Sequence, residues 1–488
     1  MLALNEIEKL LQYGKFIESS NWFKRNKLSE EFNKKEKNLY KILYCQTMIG
    51  LKDAEITLPI LDEIIKETTK EKLEMDFFKA IITKGLAMEV CQKYKESLEI
   101  VEQGLEFLKS IPIKKQKNYQ LQKAKMLKQK GTSYYQLNDN KKTLFYSKLA
   151  LKEYEKLNNT NGIAEMLSII GITEGKKGNF TKAIEFPNES LTLYIEMKND
   201  YSTAIIYHYL GRIYTSKGEL NLAYDYMMKS LPIILSFDDD YRIAITMLHL
   251  IPILIEKGEY ARAKEFSLEC LKLIEKLGYI EVVGILYYRM IRIALYEEDI
   301  AEAKKNLGIL YSLREKYCIP DYYEEYYQLA KVLIMKNSEQ ISDLTIVEEI
   351  FRNLIKGDHK NSEIIFEAMY NLSVLLLQEF QNTSNLEILE EVDILSKKFL
   401  EYGKRAELAG LRIKSYNIRL LLLFILEQFE EDSINYQEVD SLFKEIQKLA
   451  EKLGLKTTIK QFSKQYSSFM NQKYVWEDFI KEYYSQNI

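Results

Sequence analysis

The sequence predicts an all-α chain of antiparallel helix pairs stacked in series, roughly ten to twelve of them, from a repeat of about forty residues. Three observations carry that expectation. Small residues recur at a fixed spacing, as Ala124, Ala164, Ala204, Ala244 and Gly284. Companion positions keep the same period: Gly131, Gly171 and Gly211; Asn138, Gly178, Gly218 and Gly258; Thr143, Ala183, Ala223, Ala263 and Ala303; and Ala150, Ser190, Ser230 and Cys270. Only six prolines occur in 488 residues, and no long stretch alternates with period two, which excludes a sheet protein. Finally, 47% apolar and 29% charged residues form an ordinary globular balance that argues against disorder.

Each unit reads as two helices. Along 204–237 apolar residues recur at three and four spacing on both sides of the Lys217-Gly218-Glu219 turn. Gly218 suits a left-handed cap that ends the first helix. Gly211 and Ala223 are small where two helices cross. Helices of about fifteen residues are about 22 Å long and set the thickness of the ribbon.

The chain divides into an N-terminal capping region, 1–38; divergent helix pairs, 39–118; five regular units, 119–318; and a divergent helical C-terminal region, 319–488. The first helix is expected over 3–25 and the first pair over 39–66. Residues 80–108, with Gly85, Ser97 and Gly104, repeat the pattern, and a six-residue insertion follows. After Ile319-Pro320 the period blurs, but pairs can be drawn over 321–356, 361–402 and 405–453, with a last helical segment to Tyr484.

These residues resemble the tetratricopeptide repeat. The signature stands as Leu210-Gly211, Tyr214, Gly218, Ala223 and Ser230, and again as Ile170-Gly171, Gly178-Asn179-Phe180, Ala183 and Ser190. Its length is similar to that of the long-repeat adaptors, such as kinesin light chain, Pins-type adaptors and peptide-pheromone receptors. The match is clearest over 120–310. The resemblance implies a right-handed superhelical solenoid whose first helices line a concave groove. Carried over by register, the groove-facing residues are Lys125, Lys128, Tyr135, His208, Arg212, Leu248, Tyr288 and Arg292, with Thr132, Glu165, Ser168, Ile172, Thr215 and Pro252 beside them. His208 and Arg212 stand one helical turn apart, as in the cationic clamp of chaperone-binding members. The asparagines of that clamp are missing, so chaperone binding is not carried over.

Charge is uneven. Residues 107–152 hold twelve lysines and one acid, Asp139, a local charge of +11, so the remainder of a chain at -3 carries -14. Such a field would attract and orient an acidic or phosphorylated segment; the bland alternative is a solvated helical surface. Nucleic acid is disfavoured, because the patch contains no arginine and the chain as a whole is acidic. The cluster Tyr322, Tyr323, Tyr326 and Tyr327 reads first as packing and second as a grip on an apolar peptide. Pro187, Pro232 and Pro252 fall inside expected helices, and Pro252 would leave the carbonyl of Leu248 without its helical donor.

Catalysis is not expected, nor any cofactor or metal. The three histidines, His208, His249 and His359, are scattered, with no metal-ligand spacing. Asp238-Asp239-Asp240 reads as an N-cap. Gly171-Ile-Thr-Glu-Gly175-Lys176 is one residue short of a phosphate-binding loop and ends a helix. Cys45, Cys91, Cys270 and Cys318 lie far apart and suit a reducing compartment. The opening MLALNEIEKLLQY lacks the basic and apolar pattern of a signal peptide. The longest apolar run, Leu420 to Leu426, is far below the roughly twenty residues that span a bilayer. The expectation is therefore a cytoplasmic, non-enzymatic scaffold or adaptor that binds a linear segment of a protein partner, acidic segments included, without membrane insertion. The alternative is a regulatory receptor that closes on a short signalling peptide and controls another protein. Self-association through the acid-rich 427–440 stretch and the basic region of a second copy is a further expectation from charge alone.

Overall fold

The computed structural model describes residues 2–71, 73–112, 117–317, 320–336, 344–356, 362–383, 385–405, 409–429 and 436–453. Among the described residues there are twenty-two α-helices, two short 3-10 turns and no strand. The all-α expectation holds. The chain forms two compact units, one of Met1–Ile213 with Pro232–Phe237, the other of Tyr214–Leu231 with Asp238–Ile488.

In the first unit α1 (Leu2–Gln12) and α2 (Phe16–Arg25) precede the pairs α3 (Lys34–Gly50) with α4 (Leu58–Glu71), α5 (Glu74–Val90) with α6 (Tyr94–Ser110), α7 (Gln120–Gln136) with α8 (Asn140–Lys156), and α9 (Thr160–Lys176) with α10 (Phe180–Glu196). Then come α11 (Asp200–Ser216), in the first unit up to Ile213, and α12 (Leu220–Leu235), in the second unit up to Leu231. The second unit continues with α13 (Asp240–Glu256) and α14 (Tyr260–Leu277), α15 (Ile280–Tyr296) and α16 (Ile300–Tyr317), α17 (Pro320–Lys336) and α18 (Leu344–Lys356), α19 (Ser362–Thr383) and α20 (Leu386–Arg405), and α21 (Ala409–Phe429) and α22 (Tyr436–Leu453). The three C-terminal pairs fall where the apolar pattern put them. The expected segment to Tyr484, Cys318 and the inserted lysines Lys114 and Lys115 lie outside the described residues. The single helix expected over 3–25 is instead two, because Gly14 takes φ 74° and ends α1 in the left-handed region.

The period has a local cause. Left-handed residues close the first helices at Asn138, Gly178, Gly218, Gly258 and Glu298, and the second helices at Asn158, Lys198, Asp238 and Gly278. The next residue then works twice. The backbone N–H of Asp139, Asn159, Asn179 and Asn199 donates to the carbonyls of Tyr134, Tyr154, Glu174 and Tyr194, closing the helix behind. Their side-chain oxygens accept from the N–H of Lys142, Gly162, Lys182 and Ser202, opening the helix ahead. Asp239 caps α13 through the N–H of Arg242, the role expected of the aspartate triplet.

The small positions are where the two helices of a pair meet. A Cβ on Gly171 would stand 2.4 Å from Cδ of Pro187, and one on Gly131 would stand 2.7 Å from Oγ of Ser147. The next small slot pins two of the pairs: Ser190 Oγ donates to the carbonyl of Ala164 at 2.7 Å, and Cys270 Sγ to that of Ala244 at 3.3 Å. Pro187, Pro232 and Pro252 all lie within unbroken helices. Tyr323 and Tyr326 are buried in the core of the second unit with Phe351, Phe380 and Phe399, so the tyrosine cluster contributes packing.

Two substitutions test the turn. Asn159→Ala removes the 2.7 Å cap on α9 and should cost about 1 kcal/mol. Glu298→Gly relieves a side chain held at φ 59° and should stabilise by about 0.5–1 kcal/mol, the left-handed strain outweighing the added unfolded-state entropy. Urea denaturation curves measure both.

Candidate functional site

Within each unit the first helices of successive pairs touch one another, α3 to α5 to α7 to α9, and α13 to α15 to α17 to α19 to α21. The second helices form no comparable row among the described residues. The tighter row is the inner wall of each unit, and a stripe of every fourth or so residue on each first helix faces it.

In the first unit this stripe is charged. Lys128 pairs with Glu165 at 2.6 Å, and Asn161 donates to the same carboxylate at 3.2 Å. Against desolvation that would lower it, Glu165 and neighbouring groups raise the Lys128 pKa. Lys125 is solvent-exposed, yet surrounding protein desolvates it and lowers its pKa, assisted by Lys128 and opposed by Glu8 and Glu165. Solvent access combined with desolvation is what a concave wall imposes on a side chain. Glu89 accepts from Thr132 at 2.7 Å and from Ser133 at 2.5 Å. Burial pushes its carboxyl up to about 6, those hydroxyls and Lys128 offsetting part of the effect.

Further along, Lys176 Nζ stands 3.6 Å from the centroid of Tyr135 and 3.3 Å from Oδ1 of Asn138. Burial raises the Tyr135 pKa to about 12, with Tyr209 adding to it. Desolvation, then Arg212, lowers that of Lys176. Arg212 is exposed and has no ion pair among the described residues, whereas His208 is buried. The N-terminal segment also reaches this region. The turn at Gly14 packs on the ring of Tyr201, the Phe16 and Tyr201 rings meet edge to face at 6.3 Å, and Glu8 acts on Lys125.

Three lysines of the lysine-rich segment are answered by acids outside it. Lys130 pairs with Glu102, Lys123 with Glu153 and Lys128 with Glu165. Composition along the chain shows the lysines together; only the stacked helices bring in their counter-ions.

In the second unit five first helices converge on a polar cluster. Arg292 on α15 reaches Glu256 on α13 at 3.4 Å and the Tyr296 hydroxyl at 3.3 Å. Lys414 on α21 pairs with Glu367 on α19 at 3.6 Å. Lys336 on α17 donates to Oδ1 of Asn371 at 3.0 Å, and the Asn371 amide donates to the carbonyl of Glu367 at 2.9 Å. Against a desolvation that would raise it, Lys414, Arg292 and Lys336 hold Glu367 down to about 2. Glu367 raises Lys414, and Tyr296 and Glu367 raise Arg292 against its burial. Desolvation brings Lys336 down to about 8, with only Glu367 opposing.

Of the residues expected on the wall, Lys125, Lys128, Tyr135 and Arg212 lie along the first unit and Arg292 in the cluster of the second. Leu248 is half-buried on α13. Tyr288 is enclosed in the core, 1% exposed and 5.1 Å from the Tyr326 ring. Register alone could not distinguish the open face from the face packed against α17. Lys176, Glu256, Tyr296 and Lys336 were missed. They share one position in the last turn of their helices, and the spacing of forty from Glu256 through Tyr296 to Lys336 was a readable signal. Glu367, Asn371 and Lys414 had none, since the period is lost before α19.

Among the described residues no group of three or more His, Cys, Asp or Glu side chains is placed to hold a metal, and no helix is long and apolar enough to cross a membrane.

The fold within each unit is a series of antiparallel helix pairs. No family model and no curated protein matches the sequence. Among solved structures the chain is similar to the Rap conjugation gene regulator of a plasmid in complex with a Phr peptide, at 19% identity over 72% of this chain and 92% of that one, with a TM-score of 0.44. It is also similar to NprR in complex with its cognate peptide NprX, at 16% identity over 72% and 96% with a TM-score of 0.43. BtubC from P. vanneervenii follows at 12% identity over 46% and 92%, with a TM-score of 0.39. At this distance the likeness does not extend to function.

The Glu89 carboxyl yields a pH test. Its ordinary value is 4.5 and its folded value about 6, so between these the folded chain binds the proton more readily than the unfolded one. Its contribution to stability is therefore largest at low pH and is lost as pH rises through that window. Glu89→Gln, which keeps the hydroxyl partners, should raise the melting temperature at pH 7 and reduce the gain seen on acidifying from pH 7 to 5. Calorimetric melts across that range measure it.

Proposed function

We propose that this chain is a non-catalytic binding protein that takes a linear peptide segment of a partner along the rows of first helices. The observation that supports it most directly is the character of those rows. Charged and aromatic side chains stand where solvent reaches them, yet they are desolvated by the protein around them. Groups in that condition gain more from a ligand's hydrogen bonds and charge than the same groups on a convex surface would. The scattered histidines fit a binding role better than a chemical one. The cytoplasm is the compartment that its cysteine usage favours.

A second reading, a receptor that responds to a peptide, draws support from the N-terminal turn. A ligand arriving at Lys125 meets Glu8, already placed to answer that charge. Displacement of the segment would then report occupancy.

The test is fluorescence anisotropy of the whole protein with pools of labelled eight-residue peptides. Binding of at least one pool at micromolar concentration is expected. Lys125→Glu should weaken an acidic pool several-fold, more at low salt than at high salt. Failure of every pool to bind would overturn the reading. Hydrogen exchange of residues 2–25 with bound peptide separates the two forms: faster exchange marks the receptor, unchanged exchange the plain adaptor.

A further inference from the structure

We infer that the inner wall of the second unit is a carboxylate site, centred on Lys336 and completed by a peptide ligand. The inference rests on the peptide-binding reading and names the ligand chemistry that the second unit recognises.

The pairing within the cluster carries it. Arg292, Lys336 and Lys414 gather around Glu367, with Glu256 beside Arg292. Arg292 reaches Glu256 and Lys414 reaches Glu367. Among the described residues Lys336 has no carboxylate within ion-pair distance, and its one hydrogen bond goes to the neutral amide of Asn371. An ammonium has three donors, so two are left for an incoming group.

The surroundings make this more than a surface lysine. Lys336 ends α17, half-buried on the row where α15, α17, α19 and α21 touch in succession. Lys414, from two pairs further on, still acts on Glu256 and Tyr296, as well as on Arg292. Five helices therefore focus their charge on one place. Desolvation brings the amine down to about 8, with only Glu367 opposing, so an anion placed against it would restore its charge. Asn371 is 5% exposed and holds the ammonium from one side, its own amide fixed on the carbonyl of Glu367. The lysine is aimed before any ligand arrives.

A monoanion answers that ammonium. A carboxylate adds one negative charge and two acceptor oxygens, enough for the two remaining donors. A phosphate near its dianionic form would set a second negative charge against Glu367. The carboxylate can come from a glutamate or aspartate side chain or from the ligand's C-terminus.

The experiment uses the full chain and four matched pools of eight-residue peptides tethered by their N-termini. The pools end in a free carboxyl or an amide, and they contain or lack one internal glutamate. Retention of any carboxylate-bearing pool about tenfold above the neutral amide pool is expected, a difference of about 1.4 kcal/mol. The two single-carboxylate pools show which source is preferred. Lys336→Met should abolish the preference and Lys336→Arg should keep it, with circular dichroism melts confirming that both variants fold. Equal retention of the neutral pool, or a preference that survives Lys336→Met, overturns the carboxylate site and leaves the peptide-binding reading standing. Retention of no pool by the unmodified chain overturns both.

Discussion

The turn residue that ends one helix and begins the next is the constraint on which the rest of the molecule depends. At Asp139, Asn159, Asn179 and Asn199 the main chain closes the helix behind while the side chain opens the helix ahead. A left-handed residue immediately before each makes the reversal sharp. Because the turns leave no slack, helices of seventeen residues follow one another in fixed phase. Fixed phase is what lets Gly131 meet Ser147 and Gly171 meet Pro187 pair after pair. It also keeps one stripe of every first helix on the inner wall. Lengthening a turn by one residue would rotate the following helix by about 100° and take its stripe off that wall.

A row of first helices packed side by side concentrates charge in a space that water shares with protein. Two responses are visible. In the first unit the lysines of α7 are met by Glu102, Glu153 and Glu165 from neighbouring helices, and Lys125 by the more distant Glu8. In the second unit Glu367 is shared among three cations. Partly buried pairs of this kind contribute little net stability, since desolvation offsets much of the attraction. Their consequence is positional, because they fix the long side chains and define the field a ligand would meet.

How much of this was legible depends on the range of the interaction concerned. Helix pairs over 321–356 and 361–402 could be read because apolar spacing reports a helix's buried face locally. Asp239 as a cap and Gly218 as a turn were equally local. The break at Gly14 was missed because the residues around it keep an amphipathic pattern on both sides, and the ring that packs on it, Tyr201, lies far along the chain. Tyr288 illustrates a different limit. Its register matches Lys128 and His208, but its ring turns into the contact with Tyr326, and a helix face does not say which of two neighbours will cover it.

The sequence by itself determined the architecture: the all-α class, the pairing of helices, the turn chemistry and the positions that must be small. Each of these is set by residues within one or two helical turns of one another, so a period is enough to reveal them. Only the tertiary structure decided the electrostatics of the inner walls. Whether Lys128 is an open cation or half of an ion pair depends on Glu165, thirty-seven residues away. The convergence of Glu256, Arg292, Lys336, Glu367 and Lys414 depends on five helices curling toward one place. Charge interactions act through space and weaken with distance and screening, so their balance exists only once the chain is folded.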